Sequence, residues 1–129
     1  MSEANVELVR RGIENVERFW AMLDDHVVWD LRARRGIDLE DIYCGREAVI
    51  KASRRYWGTW DDYHLDAEEL IDVGTSVVVI LRERGRGKAS GASFDDRYAQ
   101  VWTFSSGRVV RWEIFPDRAA ALAAVGLDE

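Results

Sequence analysis

Apolar residues near the N-terminus recur at intervals of three and four: Val6, Val9, Ile13, Val16, Phe19, Trp20 and Leu23. This spacing draws a stripe along one side of a helix, so the stretch from about Glu3 to Leu23 is predicted helical. Gly12 and Asn15 interrupt the stripe. Asn15 suits an N-cap, so two helices with a tight joint near residues 12–15 are expected. The period then changes: residues 26–31 (HVVWDL) are short, β-branched and aromatic, as a strand requires. The charged stretch from Arg32 to Asp41, with Gly36, reads as a loop. Ala48, Val49, Ala52, Tyr56 and Trp57 mark the apolar face of a helix after Gly45.

Beyond that helix the pattern is that of strands. Tyr63, Leu65 and Ala67 alternate with His64, Asp66 and Glu68, which predicts one buried face. Residues 73–76 turn the chain into an apolar strand over Val77–Leu81, which runs on through Arg82, Glu83 and Arg84 to a GRGKASGAS hairpin loop. Strands over Phe94–Phe104 and Arg108–Phe115 flank a turn at residues 105–107. Pro116 and Asp117 then start an alanine-rich helix that Gly126 can end. Helices first, one strand, a helix and four consecutive antiparallel strands define an α+β fold. The expected architecture is a cone: one curved sheet with the helices on its concave side. The open end of such a cone is a natural ligand cavity.

Composition narrows the function. A length of 129 residues predicts one domain spanning 1–129. With 47% hydrophobic residues the chain can build a core, which argues against disorder. Eighteen basic against 24 acidic residues give a net charge of −6, which disfavours a nucleic-acid partner. The one cysteine, Cys44, excludes an internal disulfide and a multi-cysteine zinc site, and it reads as a buried residue. His26 and His64 stand far apart with no patterned carboxylates, so neither a metal nor another cofactor is expected. The polar start MSEANVELVRR gives no signal peptide, and Val77–Leu81 is too short to span a membrane. The expectation is a cytoplasmic protein. The GRGKASG loop lacks the Gly-Lys-Ser/Thr ending of a phosphate loop and joins two strands, so it carries no nucleotide.

Strand alternation predicts which residues face the cavity. On the strand before the last, Tyr98, Gln100, Trp102 and Phe104 share a face. On the last strand Trp112 and Ile114 share one, with Arg111 and Glu113 opposite. Val78, Ile80, Arg82 and Arg84 share another face, as do Val28 and Asp30. The expected ligand contacts are thus Val28, Arg82, Tyr98, Gln100, Trp102, Trp112 and Ile114, with Asp30 as the acid–base group. An aromatic and apolar cavity with a few polar groups suits a small apolar or aromatic molecule. Two alternatives stay open here: tryptophans that serve only as core, and an Asp30 that only pairs with Arg82.

NVELVRR, DDHVVWD, YCGREAV, EELIDVGTSVVV and YAQVWTFSSGRVVRWEIFPDRAAAL occur in order over nearly the whole chain. Together they resemble the SnoaL-like branch of the nuclear-transport-factor-two-like superfamily. The resemblance implies a cone-shaped, cystatin-like α+β barrel, and a homodimer paired through the convex sheet face carrying Val101, Thr103, Arg111 and Glu113, with Val109 nearby. That superfamily holds polyketide cyclases, ketosteroid isomerases, limonene epoxide hydrolases and pure binding modules, so fold leaves function open. By resemblance Asp30 occupies the general-base position of the isomerases and Gln100 that of their fifth-strand acid, while the segment that would carry the oxyanion-hole tyrosine is missing. For the epoxide hydrolases Arg82 matches, but Arg84, Ile114 and Asp30 replace an Asp, an Asp and an Asn. Two water-activating carboxylates are therefore absent. The implied function is small-molecule binding, with a cofactor-independent isomerase, cyclase or hydrolase as its enzymatic form and a non-catalytic ligand-binding or dimerisation module as the alternative.

Overall fold

The computed structural model describes residues 3–34 and 39–127. Gly36 of the expected loop lies outside them. The two expected N-terminal helices are α1 (Glu3–Glu14) and α2 (Val16–Ala21). Between them Asn15 caps α2, its side-chain oxygen accepting from the backbone N–H of Glu17 and Arg18. Strand β1 (Leu23–Asp30) follows, then a short β2 (Ile42–Cys44), helix α3 (Arg46–Trp57) and the long strands β3 (Trp60–Asp72), β4 (Ser76–Gly87) and β5 (Ser93–Ser105). The chain closes with β6 (Arg108–Phe115) and α4 (Arg118–Ala124).

The six strands form one curved sheet in the order β2-β1-β6-β5-β4-β3. Neighbours run antiparallel except β1 and β6, which are parallel. The strands β2 and β3 remain edges, so the sheet is curved but not closed into a barrel. β2 escaped the sequence reading because three residues show no period. It forms because Val28, Trp29 and Asp30 pair with Cys44, Tyr43 and Ile42. Cys44 is accordingly exposed on an edge strand rather than buried as expected. The β5–β6 hairpin turns through Ser106 (φ 51°) and Gly107 (φ 76°), the positive-φ pair that a two-residue loop needs.

Two apolar layers hold the sheet. Its concave side carries Val27, Trp29, Leu31, Val77, Val79, Leu81, Tyr98, Trp102, Phe104, Trp112 and Ile114, packed under Val9 of α1, Phe19 of α2 and Val49 and Ala52 of α3. The convex side carries Val78, Ala99, Val101 and Phe115, packed against Ala121 of α4. The helices therefore do not all lie on the concave side; α4 covers part of the other. Asp117 caps α4 by accepting from the Ala120 N–H at 2.9 Å. Val109 points into the concave core, because a bulge between Thr103 and Phe104 shifts the β5–β6 register. It is not on the convex face where it was expected. Ala67 is exposed rather than aligned with Tyr63 and Leu65, because β3 bulges between Ala67 and Glu69.

Candidate functional site

The concave side is not filled. Between α1, α2 and the sheet an open cavity of about 400 Å³ remains, within the size range of small-molecule sites. Phe19, Trp57, Tyr63, Trp102 and Trp112 line it with Gln100 and Leu65, and the end of α1 contributes Gly12, Ile13 and Glu14. Gly12 has a packing reason to be there. A Cβ on it would meet the Trp102 ring at 2.8 Å, so α1 can lie on this indole only without a side chain at that position. The interrupted helical stripe in the sequence is this contact.

Gln100 organises the aromatic wall. Its Oε1 accepts the indole N–H of Trp102 at 2.7 Å and of Trp112 at 3.0 Å, and its Nε2 donates to the Tyr98 hydroxyl at 3.0 Å. Indoles only donate, so their shared partner must be the amide oxygen, which fixes the way the amide points. Trp112 also stacks on Trp29, with ring centroids 4.3 Å apart and planes 7° off parallel, and meets Phe19 edge-on at 4.6 Å.

Behind this wall lies a buried carboxylate. Glu83 is 1% exposed. It accepts from the Tyr63 hydroxyl at 2.5 Å and from the Tyr56 hydroxyl at 3.2 and 3.3 Å. The Arg34 guanidinium stands 3.6 Å from Glu83, 3.6 Å from Asp96 and 4.1 Å above the Tyr98 ring. Burial, and then the neighbouring Glu83 charge, push the hydroxyls of Tyr56 and Tyr98 up; for Tyr63 burial comes first and the groups around it act the same way. All three phenols stay protonated at neutral pH, and Tyr56 and Tyr63 serve Glu83 as donors. A narrow void of about 20 Å³ touches Arg34, Tyr56, Tyr98 and Ile114 and shares Trp57, Gln100 and Trp112 with the larger cavity. These three side chains divide the interior into an outer cavity and an inner chamber about large enough for one water.

Of the residues expected from alternation, Tyr98, Gln100, Trp102, Trp112 and Ile114 do share the concave face. Gln100, Trp102 and Trp112 line the outer cavity, and Tyr98 and Ile114 the inner chamber. Val28, Asp30 and Arg82 do not join them. On β1 the concave residues are Val27 and Trp29, continued by Leu31 just past its end, so Val28 and Asp30 stand on the convex face opposite Arg111 and Glu113. On β4 the concave residues are Val77, Val79 and Leu81, so Arg82 lies outside, where it holds Asp95 through two hydrogen bonds of 2.9 and 2.6 Å. The residues that sequence reasoning left out are Glu83, Tyr56, Tyr63, Arg34, Phe19 and Trp57. A signal for Glu83 existed, because an inward Val79 and Leu81 carry it inward by the same period of two.

Asp30 therefore pairs neither with Arg82 nor with the cavity. Its Oδ2 accepts from Arg32 at 2.8 Å and from Arg111 at 2.5 Å, and its Oδ1 accepts from the backbone N–H of Arg32. The Arg32 side chain, against opposing burial and with help from Arg111, holds the Asp30 carboxyl below the usual carboxylate range. A depressed folded pKa gives stability that is present above the unfolded value, near 4, and is lost as pH falls through the folded value. Asp30→Asn is expected to cost roughly 1.5–3 kcal/mol at pH 7, as lost charged hydrogen bonds do. The gap from the parent should shrink as pH falls below about 4. Denaturant melts at several pH values check this, and a gap that persists in acid would contradict it.

A family model described as the SnoaL-like domain matches residues 4–112. Among curated proteins there is no match. Solved structures do match. An NTF2-like protein of unknown function from Burkholderia pseudomallei K96243 is 24% identical, with 95% of this chain and 97% of that one covered and a TM-score of 0.74. A candidate SnoaL-like polyketide cyclase from Jannaschia sp. CCS1 is 18% identical over 94% and 90% of the two chains, with a TM-score of 0.76. A protein of ketosteroid isomerase-like fold from Catenulispora acidiphila DSM 44928, in complex with trimethylamine, is 14% identical over 98% and 95%, with a TM-score of 0.70. At these identities the likeness concerns the fold.

Proposed function

We propose that the chain, which belongs to the SnoaL-like domain family, binds a small apolar or aromatic molecule in its concave cavity. The observation that supports this is the open space of about 400 Å³ that remains after Trp102 and Trp112 have been packed into the wall. A cone that these two tryptophans filled would have favoured a pure dimerisation module. The small molecule held by the Catenulispora protein agrees with a ligand-binding use of the fold. Binding without chemistry is the form favoured over an isomerase, cyclase or hydrolase. Asp30 is engaged outside the cavity, and Glu83 has two phenols and a guanidinium around it and no exposed edge. We include a homodimer in the proposal. Thr103, Arg111 and Glu113 stay partly exposed on the convex face, whereas Val101 is covered there.

The neutral fluorescent probe N-phenyl-1-naphthylamine tests the cavity. Its emission should rise saturably on mixing, with matching quenching of tryptophan emission. Val16→Trp should abolish the response while the protein melts normally, because Val16 lines the cavity yet is 37% exposed. Absence of saturable binding, or binding that Val16→Trp leaves unchanged, would reject the reading. Sedimentation of the same samples should give about twice the 14.8 kDa of one chain, and a species of 14.8 kDa would reject the dimer.

A further inference from the structure

The cavity also has a sign. We propose that its ligand is an organic cation, an ammonium or quaternary ammonium group on a small apolar body; this rests on the binding reading above. Among the described residues lining the cavity there is no arginine or lysine; the lining carries two carboxylates, Glu14 and Asp66, and one imidazole, His64. Two nearby guanidiniums are paired with carboxylates: Arg34 lies between Glu83 and Asp96, and Arg84 binds Asp66 of the lining at 3.0 Å. At the rim Glu14 lies exposed at the end of α1, with no ion-pair partner among the described residues.

The polar side chains deeper in the cavity favour the same sign. Tyr63 gives its proton to Glu83, so its oxygen offers a ligand only lone pairs. The Gln100 oxygen is occupied by two indoles, and its nitrogen donates to Tyr98. With both indole N–H groups turned to Gln100, Trp102 and Trp112 offer the cavity ring carbons rather than donors. An anion entering would leave water and meet the carboxylates of Glu14 and Asp66 with no arginine or lysine in the lining, at a high desolvation cost. A cation would find five aromatic rings whose faces carry negative charge, a free carboxylate at the rim and the Tyr63 oxygen. Aromatic walls recognise quaternary ammonium groups through this attraction.

The decisive comparison is between choline and its uncharged carbon isostere 3,3-dimethylbutan-1-ol, which have the same shape and the same hydroxyl. Each is titrated in competition with N-phenyl-1-naphthylamine. Choline should bind about tenfold more tightly than the isostere, as cation–π attraction in a partly desolvated site provides. Glu14→Gln should weaken choline several-fold and leave the isostere unchanged. Glu14 is exposed, so this variant is expected to fold, and an unaltered melt together with the isostere's unchanged binding verifies that. Equal or tighter binding of the isostere, with the naphthylamine still bound, overturns the charge assignment and leaves the cavity reading standing. Loss of all three, naphthylamine included, overturns both. Choline binding that Glu14→Gln does not weaken overturns the role of the rim.

Discussion

Glu83→Ala is expected to lower the melting temperature by roughly 10–20 °C, the equivalent of about 3–5 kcal/mol for breaking a buried charge network in a domain of this size. Glu83 is the shared acceptor of Tyr63 and Tyr56 and stands 3.6 Å from Arg34, as Asp96 also does, but Glu83 is the buried one of the two carboxylates. Its removal strands two phenolic donors. It also leaves a guanidinium whose side chain is 15% exposed with Asp96 alone, a carboxylate that is 61% exposed and correspondingly screened. The penalty therefore comes from groups left without partners more than from the attraction itself. A second variant separates the two. If Arg34→Met is added, the stranded charge disappears and part of the loss should return. Denaturant melts of the single and double variants measure this. A loss below about 1 kcal/mol for Glu83→Ala would mean that water reaches the network and replaces the carboxylate, as it does at exposed pairs.

Most elements were legible because their signals are local. The helical stripe, the Asn15 cap, the Ser106-Gly107 turn and the Asp117 cap each depend on a few neighbouring residues. The phase of two strands was not. On β1 both Val27 and Val28 are apolar, so alternation fixes the period but not which set faces inward. Asp30 then looks like a polar group at a cavity, whereas its burial is supplied by Arg111 from β6, 81 residues away in sequence. On β4 the run from Val77 to Leu81 is apolar on both faces because α4 covers the convex side at Val78. With no polar face to mark the outside, the inward set was assigned to Arg82 and Arg84 rather than to Glu83. The decisive information was long-range: the docking of a C-terminal helix on the convex face. On β5 the phase is legible for a complementary reason. Tyr98, Gln100 and Trp102 alternate with Arg97, Ala99 and Val101, and a Gln flanked at two-residue spacing by aromatic side chains has only one sensible phase.

That Gln is also where the second large effect is expected. Gln100→Leu nearly conserves volume, yet it deletes the acceptor shared by Trp102 Nε1 and Trp112 Nε1 and the donor to Tyr98. Each indole N–H left buried without a partner costs about 1–3 kcal/mol, so the variant should lose roughly 2–6 kcal/mol. No nearby group can take over without rearrangement. Gln100 itself is 2% exposed, and both rings are held by contacts, Trp102 by Gly12 and Phe19 and Trp112 by Trp29. The wall already carries one such orphan: among the described residues the Trp29 indole nitrogen is buried without a partner, and its ring stacks on Trp112. Two more on adjoining rings would concentrate the penalty at the cavity wall. The loss should therefore show in ligand affinity as well as in stability, since both tryptophans line the outer cavity. Chemical denaturation gives the first quantity and naphthylamine titration the second. If Gln100→Leu melts within about 0.5 kcal/mol of the parent, the indoles have found water through the open side of the cavity. The amide would then be a filler of space rather than the organiser of the wall.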